Sequence, residues 1–271
     1  MKIIVVNYAN DKYRNAQQYN TATAVKKGGA DEVFEYSDKD IDAEFFKEHK
    51  QILMESRGNG LWLWKPYFIK KSLEKVDYGD VIFYADAGLY FTNKIEKILK
   101  KVPENFNVIC FDIPLIEEQF TKKIVFEKMN CNDIIYRKTN QIIGTYFIIK
   151  KTEFVEKFID EWLKLCCDYE LISPSNNGEE KENFISHRED QSIFSLLCKK
   201  YNIEPYNDIS QRYYFPKSYK HEKTFIYKVS KHKNEKLPII LYLHKMNEIN
   251  KIKLFKQKIR MVLSIFNWHK Y

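Results

Sequence analysis

Gly79-Asp80-Val81-Ile82-Phe83-Tyr84-Ala85-Asp86-Ala87-Gly88 runs an apolar stretch straight into a short acidic turn. Val81 to Tyr84 are β-branched and aromatic, the composition of a buried central strand. Asp86 follows at the carboxyl end of that strand, among Ala85, Ala87 and Gly88. In an open α/β sheet, ligands bind at the carboxyl ends of the strands. A carboxylate there, with only small neighbours, leaves room for a metal ion and a phosphate. The competing reading is a turn in which Asp86 caps the next segment, and this stretch alone leaves both open.

Working outward, Lys2 to Val6, Glu32 to Tyr36, Asn107 to Phe111, Gln141 to Lys150 and Pro238 to Leu243 have strand composition. Helical patterns lie between them: Arg14 to Lys27, Asp40 to Lys50, Pro66 to Val76, Asn93 to Lys101, Thr152 to Tyr169 and Glu189 to Tyr201. Pro114 to Cys131 is expected to be a helix, or a helix with a loop. The polar stretch Leu171 to Glu182 is long enough for a mobile flap. This alternation predicts an α/β fold with a mostly parallel central sheet flanked by helices. One domain is expected over 1–249, with a basic amphipathic helix over 250–271.

At 271 residues the chain can bury a large core. Its 44% hydrophobic and 30% charged residues suit a soluble globular protein. The formal net charge of +8 favours anionic partners: nucleic acid, phosphorylated ligands or an anionic membrane face. The positive charge is uneven, with Lys and Arg dense and acids sparse from Lys217 onward. The five cysteines are odd in number and lack zinc-type spacing, so free thiols in a reducing cytosol are expected. No signal peptide is read at the N-terminus, and no apolar run reaches membrane-spanning length.

Five groups carry candidate chemistry. Tyr8-Ala9-Asn10 follows the first strand, where Tyr8 is placed to stack on a nucleobase and Asn10 to bond its edge; a solvated turn is the bland alternative. Ser56-Arg57-Gly58-Asn59-Gly60-Leu61-Trp62-Leu63-Trp64-Lys65-Pro66 sets two glycines beside an Arg, then two Trp, then a Lys before a helix start. Arg57, with its planar fork, and Lys65, as a point charge, suit diphosphate oxygens, though the spacing is not that of a P-loop. Asp86 is a one-carboxylate metal ligand, which suffices for Mg²⁺ or Mn²⁺ when a diphosphate supplies further oxygens. Ser186-His187-Arg188-Glu189-Asp190-Gln191-Ser192 opens a helix, with Asp190 a candidate general base and helix capping the alternative. His244 ends a late strand, as a second metal ligand beside Asp86 or as a structural histidine. The segment from Asn250 to Lys270 interleaves apolar residues and lysines, suiting an interfacial membrane helix or a helix packed on the domain.

With these motifs in place, the chain resembles nucleotide-sugar-dependent glycosyltransferases of the GT-A fold. It is most similar to the bacterial capsule and O-antigen type, through Gly60-Leu61-Trp62-Leu63-Trp64-Lys65-Pro66, Gly79-Asp80 with Tyr84-Ala85-Asp86-Ala87-Gly88, and His187-Arg188-Glu189-Asp190-Gln191. The resemblance spans roughly Met1 to Ile203. It implies transfer of a hexose from a nucleotide-diphosphate sugar, a UDP-sugar first, to a saccharide or lipid-linked saccharide in surface polysaccharide biosynthesis. It implies donor contacts at Tyr8, Asn10, Arg57, Lys65 and Asp86, acceptor contacts at Trp64, His187 and Glu189, and Asp190 as catalytic base with a lean to inversion. It implies Mn²⁺ or Mg²⁺ on Asp86 and His244, although Tyr84 stands where the family's Asp-x-Asp motif has its first acid. The expected location is cytoplasmic, peripheral on the inner face of the membrane. A nucleotidyltransferase or sugar-nucleotide hydrolase would need the same donor site. A basic nucleic-acid-binding protein would fit the charge, but no nucleic-acid motif is present.

Overall fold

The computed structural model describes residues 1–174, 180, 183–215, 234–244, 246, 247, 249, 250, 252–256, 258 and 259. Its strands are β1 (Ile3–Tyr8), β2 (Glu32–Tyr36), β3 (Val81–Ala85), β4 (Leu89–Phe91), β5 (Val108–Ile109), β6 (Asp112–Ile116), β7 (Asn140–Ile142), β8 (Tyr146–Lys150) and β9 (Leu241–Leu243). Five of them form the central sheet in the order β2-β1-β3-β8-β5; β4 pairs with β9 and β6 with β7. The longer helices are α1 (Arg14–Thr23), α2 (Trp64–Leu73), α3 (Glu153–Cys166) and α4 (Glu189–Lys200).

Side chains alternate between the faces of a strand, and both faces here are apolar. Ile4, Val6, Tyr8, Ile82, Tyr84, Phe147 and Ile149 point to one side. There they meet Phe68 of α2, Phe158 and Trp162 of α3, and Phe194 of α4. Val5, Val81, Phe83, Ala85, Tyr146 and Ile148 point to the other, against Phe91, Ile95, Ile98 and Leu241. A sheet covered on both faces is what near-continuous apolar strands require. α3 starts where the Thr152 side chain accepts from Val155 N at 3.2 Å, a helix N-cap.

The α/β class is as expected, but the sheet is mixed. β1 is parallel to β2 and β3, whereas β8 runs antiparallel to both β3 and β5. The stretch Gln141 to Lys150 divides into two strands of different sheets, broken across Ile143 to Thr145. The expected helix from Pro114 gives way to β6, followed by short helices at Glu117–Phe120 and Lys123–Lys128. Pro114 is tolerated because the β6–β7 register shifts between Asp112 and Ile116, and a bulge is where a residue without an N–H fits a ladder. The short strand β4 carried no recognisable pattern of its own.

Residues 252–256, 258 and 259 are helical; the rest of the expected C-terminal helix lies outside the described residues, as does most of the expected 171–182 flap. Among the described residues no helix is long and apolar enough to cross a membrane. All five cysteines are free thiols, four of them buried.

Candidate active site at the strand switch point

From β1 the chain passes to β2 on one side, while β3 lies on the other side of β1. The gap beyond the carboxyl ends of two such strands is where the connecting segments diverge and leave a crevice. Val6 is in register with Tyr84, so Tyr8 and Asp86 stand at one level. β8 starts there too, and Asp86 N donates to Thr145 O at 2.9 Å. A cleft of about 570 Å³ opens at this edge, walled by Tyr8, Asn10, Trp62, Trp64, Asp86 and Thr145 among others.

The turn bearing Asp86 is fixed from below by a buried amide network. Asn20 Nδ2 donates to Asp86 O at 3.2 Å and to Leu89 O at 3.0 Å. Asn7 Nδ2 donates to Asn20 Oδ1, and Gln17 Nε2 to Asn7 Oδ1. Buried amides whose donors and acceptors all find partners rigidify what they hold. The side chain of Asp86 keeps 29% exposure toward the cleft. Its Oδ1 accepts from Tyr84 Oη at 2.5 Å and lies 3.7 Å from Lys65 Nζ. Burial nevertheless raises the Asp86 pKa over the opposing pull of Lys65 and Tyr84. Tyr84 is buried, and burial raises its own pKa far enough to keep it a proton donor.

Lys65 enters from the first turn of α2 and is itself buried. Its ammonium donates to Gly144 O at 3.0 Å and lies 2.8 Å from Asp190 Oδ2. Burial pulls the Lys65 pKa down, but Asp190 and Asp86 together outweigh it and hold the amine protonated. Burial pushes Asp190 up to about 7, against Lys65 and with Asp86 and Glu189 adding to the rise. Lys65 and Asp190 thus form a buried charged layer directly beneath Asp86, where sequence reasoning had set Lys65 against the diphosphate itself.

The remaining expected residues fall into two groups. Tyr8, Asn10 and Trp64 come together in the cleft wall. The Tyr8 ring, however, is stacked on Trp64 at 3.8 Å and on Phe68 at 5.6 Å, and its hydroxyl accepts from Asn59 Nδ2. Trp64 Nε1 donates to Gly58 O at 2.9 Å. Arg57 Nε pairs with the buried Glu189 at 2.5 Å, tying the loop before α2 to the start of α4. His187 lies away from the cleft: its ring is buried, Nε2 meets Leu171 O at 2.9 Å, and burial lowers its pKa to about 3.

Sequence reasoning missed the backbone of this wall. Gly58, Asn59, Gly60, Leu61 and Trp62 all have positive φ. Leu61 N donates to Arg57 O at 2.9 Å, so the segment is one left-handed helical turn. Each non-glycine residue in that conformation costs about 1–2 kcal/mol, and three are present. The glycines at 58 and 60 were the available signal, noted only as neighbours of Arg57. Lys12 and Tyr13, on the turn after Asn10, also border the cleft; both are exposed.

His244 tests the fit of a metal. It is buried, burial lowers its pKa to about 4, and its Nε2 has no hydrogen-bond partner. Its Nδ1 accepts from Met246 N, and its backbone N donates to Gly88 O at 3.0 Å, two residues from Asp86. A neutral imidazole that accepts at Nδ1 carries its proton on Nε2, so the orphaned Nε2 is a donor and His244 does not fit a divalent ion in this arrangement; Asp86 alone fits one whose other ligands are phosphate oxygens and water. Among the described residues no three His, Cys, Asp or Glu side chains converge on one point.

No family model matches the sequence, and no curated protein does. Solved structures similar to this one include mouse xyloside xylosyltransferase 1 in its apo form, at 8% identity and a TM-score of 0.49, covering 92% of this chain and 100% of that one. The apo-form glycosyltransferase GlyE of Streptococcus pneumoniae TIGR4 is 13% identical with a TM-score of 0.48, covering all of this chain and 64% of its own. The galactosyltransferase LgtC in complex with donor and acceptor sugar analogs is 12% identical with a TM-score of 0.47, covering 89% and 86%.

Proposed function

We propose that the chain is a GT-A-like glycosyltransferase that moves a sugar from a nucleotide-diphosphate donor to a saccharide acceptor. One observation carries this reading. A cleft-facing carboxylate, Asp86, stands at the strand switch point beside an aromatic wall, above a buried Lys65–Asp190 layer. A cleft of about 570 Å³ is of the size that takes a nucleotide-sized ligand.

In this reading Tyr8 and Asn10 border the nucleobase, and the exposed guanidinium of Arg57 meets the diphosphate. Asp86 would hold Mn²⁺ or Mg²⁺, which when bound would supply charge stabilisation of the leaving diphosphate. Lys65 holds Asp86 in place from beneath, paired with Asp190. Trp64 and Glu189 shape the acceptor side through Tyr8 and Arg57, and His187 supports it from the core. Asp190 takes the proton of the acceptor hydroxyl, a role for which a pKa of about 7 is well matched, and the anomeric centre inverts. Its burial beside Lys65 favours a second reading, in which Asp190 only positions Lys65 and the anomeric configuration is retained.

The acceptor proposed is a saccharide or lipid-linked saccharide of surface polysaccharide, met at the cytoplasmic membrane face. Ile252, Phe255 and Ile259 support this: they are exposed at helical spacing, among Lys253, Lys256 and Lys258. The catalytic domain is taken as 1–249, with 250–271 as the membrane-facing element. A nucleotidyltransferase or sugar-nucleotide hydrolase shares the donor half of this reading; a nucleic-acid binder would not set Asp86 at the centre of its surface.

The test is a thermal-shift panel of nucleotide sugars with and without Mn²⁺. A ligand of the folded state raises the melting temperature by mass action. One nucleotide class is expected to stabilise the protein, with the shift lost in Asp86→Ala. A panel without any shift sinks the donor reading.

A further inference from the structure

Two tryptophans two residues apart have opposite fates in this fold. Trp64 is spoken for: its ring is stacked on Tyr8 and its N–H is bonded to Gly58 O. Trp62 borders the cleft and is half-exposed. Among the described residues nothing accepts from its indole N–H. The indole lies over Gly58 so closely that a methyl group there would stand 2.2 Å from Cε3.

The backbone that delivers Trp62 is the left-handed turn. Trp62 itself has φ 60 and ψ 15, a conformation that bulky residues avoid. Strain of this kind persists only where surrounding structure enforces it, and it collects at ligand sites. Enforcement here comes from both sides: Gly60 N donates to Glu55 O at 2.7 Å, and Lys65 N donates to Trp62 O at 2.9 Å. The second bond joins Trp62 to the residue whose ammonium pairs with Asp190.

We infer that the Trp62 indole is the platform on which a pyranose ring of the acceptor stacks, its N–H free to donate to a sugar hydroxyl. This rests on the transferase reading above. A sugar ring presents a face of C–H groups and a rim of hydroxyls. A rigid aromatic plane with one polar handle matches both, at little cost in side-chain entropy. The acceptor is therefore a glycan with an accessible C–H face near its reacting end. Trp62 sets which glycans bind, while Trp64 shapes the wall.

The experiment compares wild type, Trp62→Ala and Trp62→Phe on an array of galactose-, glucose- and N-acetylhexosamine-terminated oligosaccharides, beside the nucleotide-sugar thermal-shift panel. The expected result is a loss of at least fivefold in glycan affinity for Trp62→Ala, with Trp62→Phe within threefold of wild type and nucleotide-sugar shifts unchanged in both. A loss below fivefold in Trp62→Ala overturns the inference. So does a wild type that binds no glycan, or an equal loss of nucleotide-sugar binding, which would make Trp62 a base-stacking residue. If glycan binding depends on Trp62 while no nucleotide sugar shifts the wild type, the donor reading falls and the acceptor platform stands.

Discussion

The ammonium of Lys65 lies 2.8 Å from the carboxylate of Asp190, and both side chains are almost wholly buried. The pair joins two elements distant in sequence, the first turn of α2 and the first turn of α4. It sits under the turn that ends β3, with Asp86 at 3.7 Å as a third charge. Two carboxylates around one ammonium leave a net negative layer beneath the cleft. That layer attracts cations to Asp86 and repels an anion brought there without one.

Removing the ammonium strands both carboxylates. Lys65→Met is expected to destabilise the fold by about 3–5 kcal/mol, the usual result of leaving a buried charge unpaired. Chemical denaturation measures it. The double variant with Asp190→Asn should lose less than the sum of the two single losses, because the cycle then removes the pair as a unit. Additive losses would show that the two groups do not interact.

The pH dependence of Asp190 follows from its burial. The native pKa is raised from 3.8 to about 7, so the folded state holds this proton more tightly than the unfolded chain. Its contribution to stability is full below about pH 4 and is lost as pH climbs through 7. Between pH 5 and 8 the wild-type melting temperature should therefore fall more than that of Asp190→Asn. As a general base Asp190 should also give a rate that rises with pH around 7 and drops at least about a hundredfold in the Asn variant. A variant with an unshifted pH–rate profile would favour the positioning role.

Much of this arrangement was legible in the sequence, and the rest was hidden for identifiable reasons. Val81 to Asp86 announced a central strand and a carboxylate at its end because burial on two faces demands a continuous apolar run. The reversal of β8 was invisible, since Tyr146 to Lys150 has the same composition in either direction. The burial of Lys65 was hidden because its partners, Asp190 and Gly144 O, come from segments some 80 to 125 residues later. Arg57, Gly58 and Gly60 read only as a cation suited to a diphosphate beside two glycines. Their fold depends on Glu189 and Leu53, which no local pattern names.

Asp86 and His244 carry a paired expectation. Asp86→Asn should lower transfer at least about a hundredfold, on the scale of losing a preorganised charge at a reacting group. His244→Ala should instead leave unchanged the Mn²⁺ concentration needed for half-maximal stabilisation by the nucleotide sugar, as metal titration under thermal denaturation would read, because its ring proton is on Nε2. Because the imidazole titrates at about 4, its protonation should not weaken that Mn²⁺ response between pH 5.5 and 8. A raised Mn²⁺ requirement in His244→Ala would place it in the metal site, with the ring proton moved to Nδ1.

The left-handed turn offers a matched pair of substitutions that separates backbone strain from crowding. Gly60 has φ +95, and a Cβ there would lie 3.0 Å from Leu53 Cα and 3.2 Å from Leu53 O. Gly79 has φ +87 and nothing within 4 Å of the same position. Gly79→Ala should therefore cost only the backbone penalty, about 1–2 kcal/mol. Gly60→Ala must also push back a main chain that cannot rotate away, and should cost about 1–3 kcal/mol more, as overpacking does. Because Gly60 lies between Asn59 and Trp62, its variant should also weaken ligand binding in the cleft, whereas Gly79→Ala should leave binding intact. Denaturation and nucleotide-sugar titration of the two proteins check both parts, and equal destabilisation would mean that the turn relaxes freely.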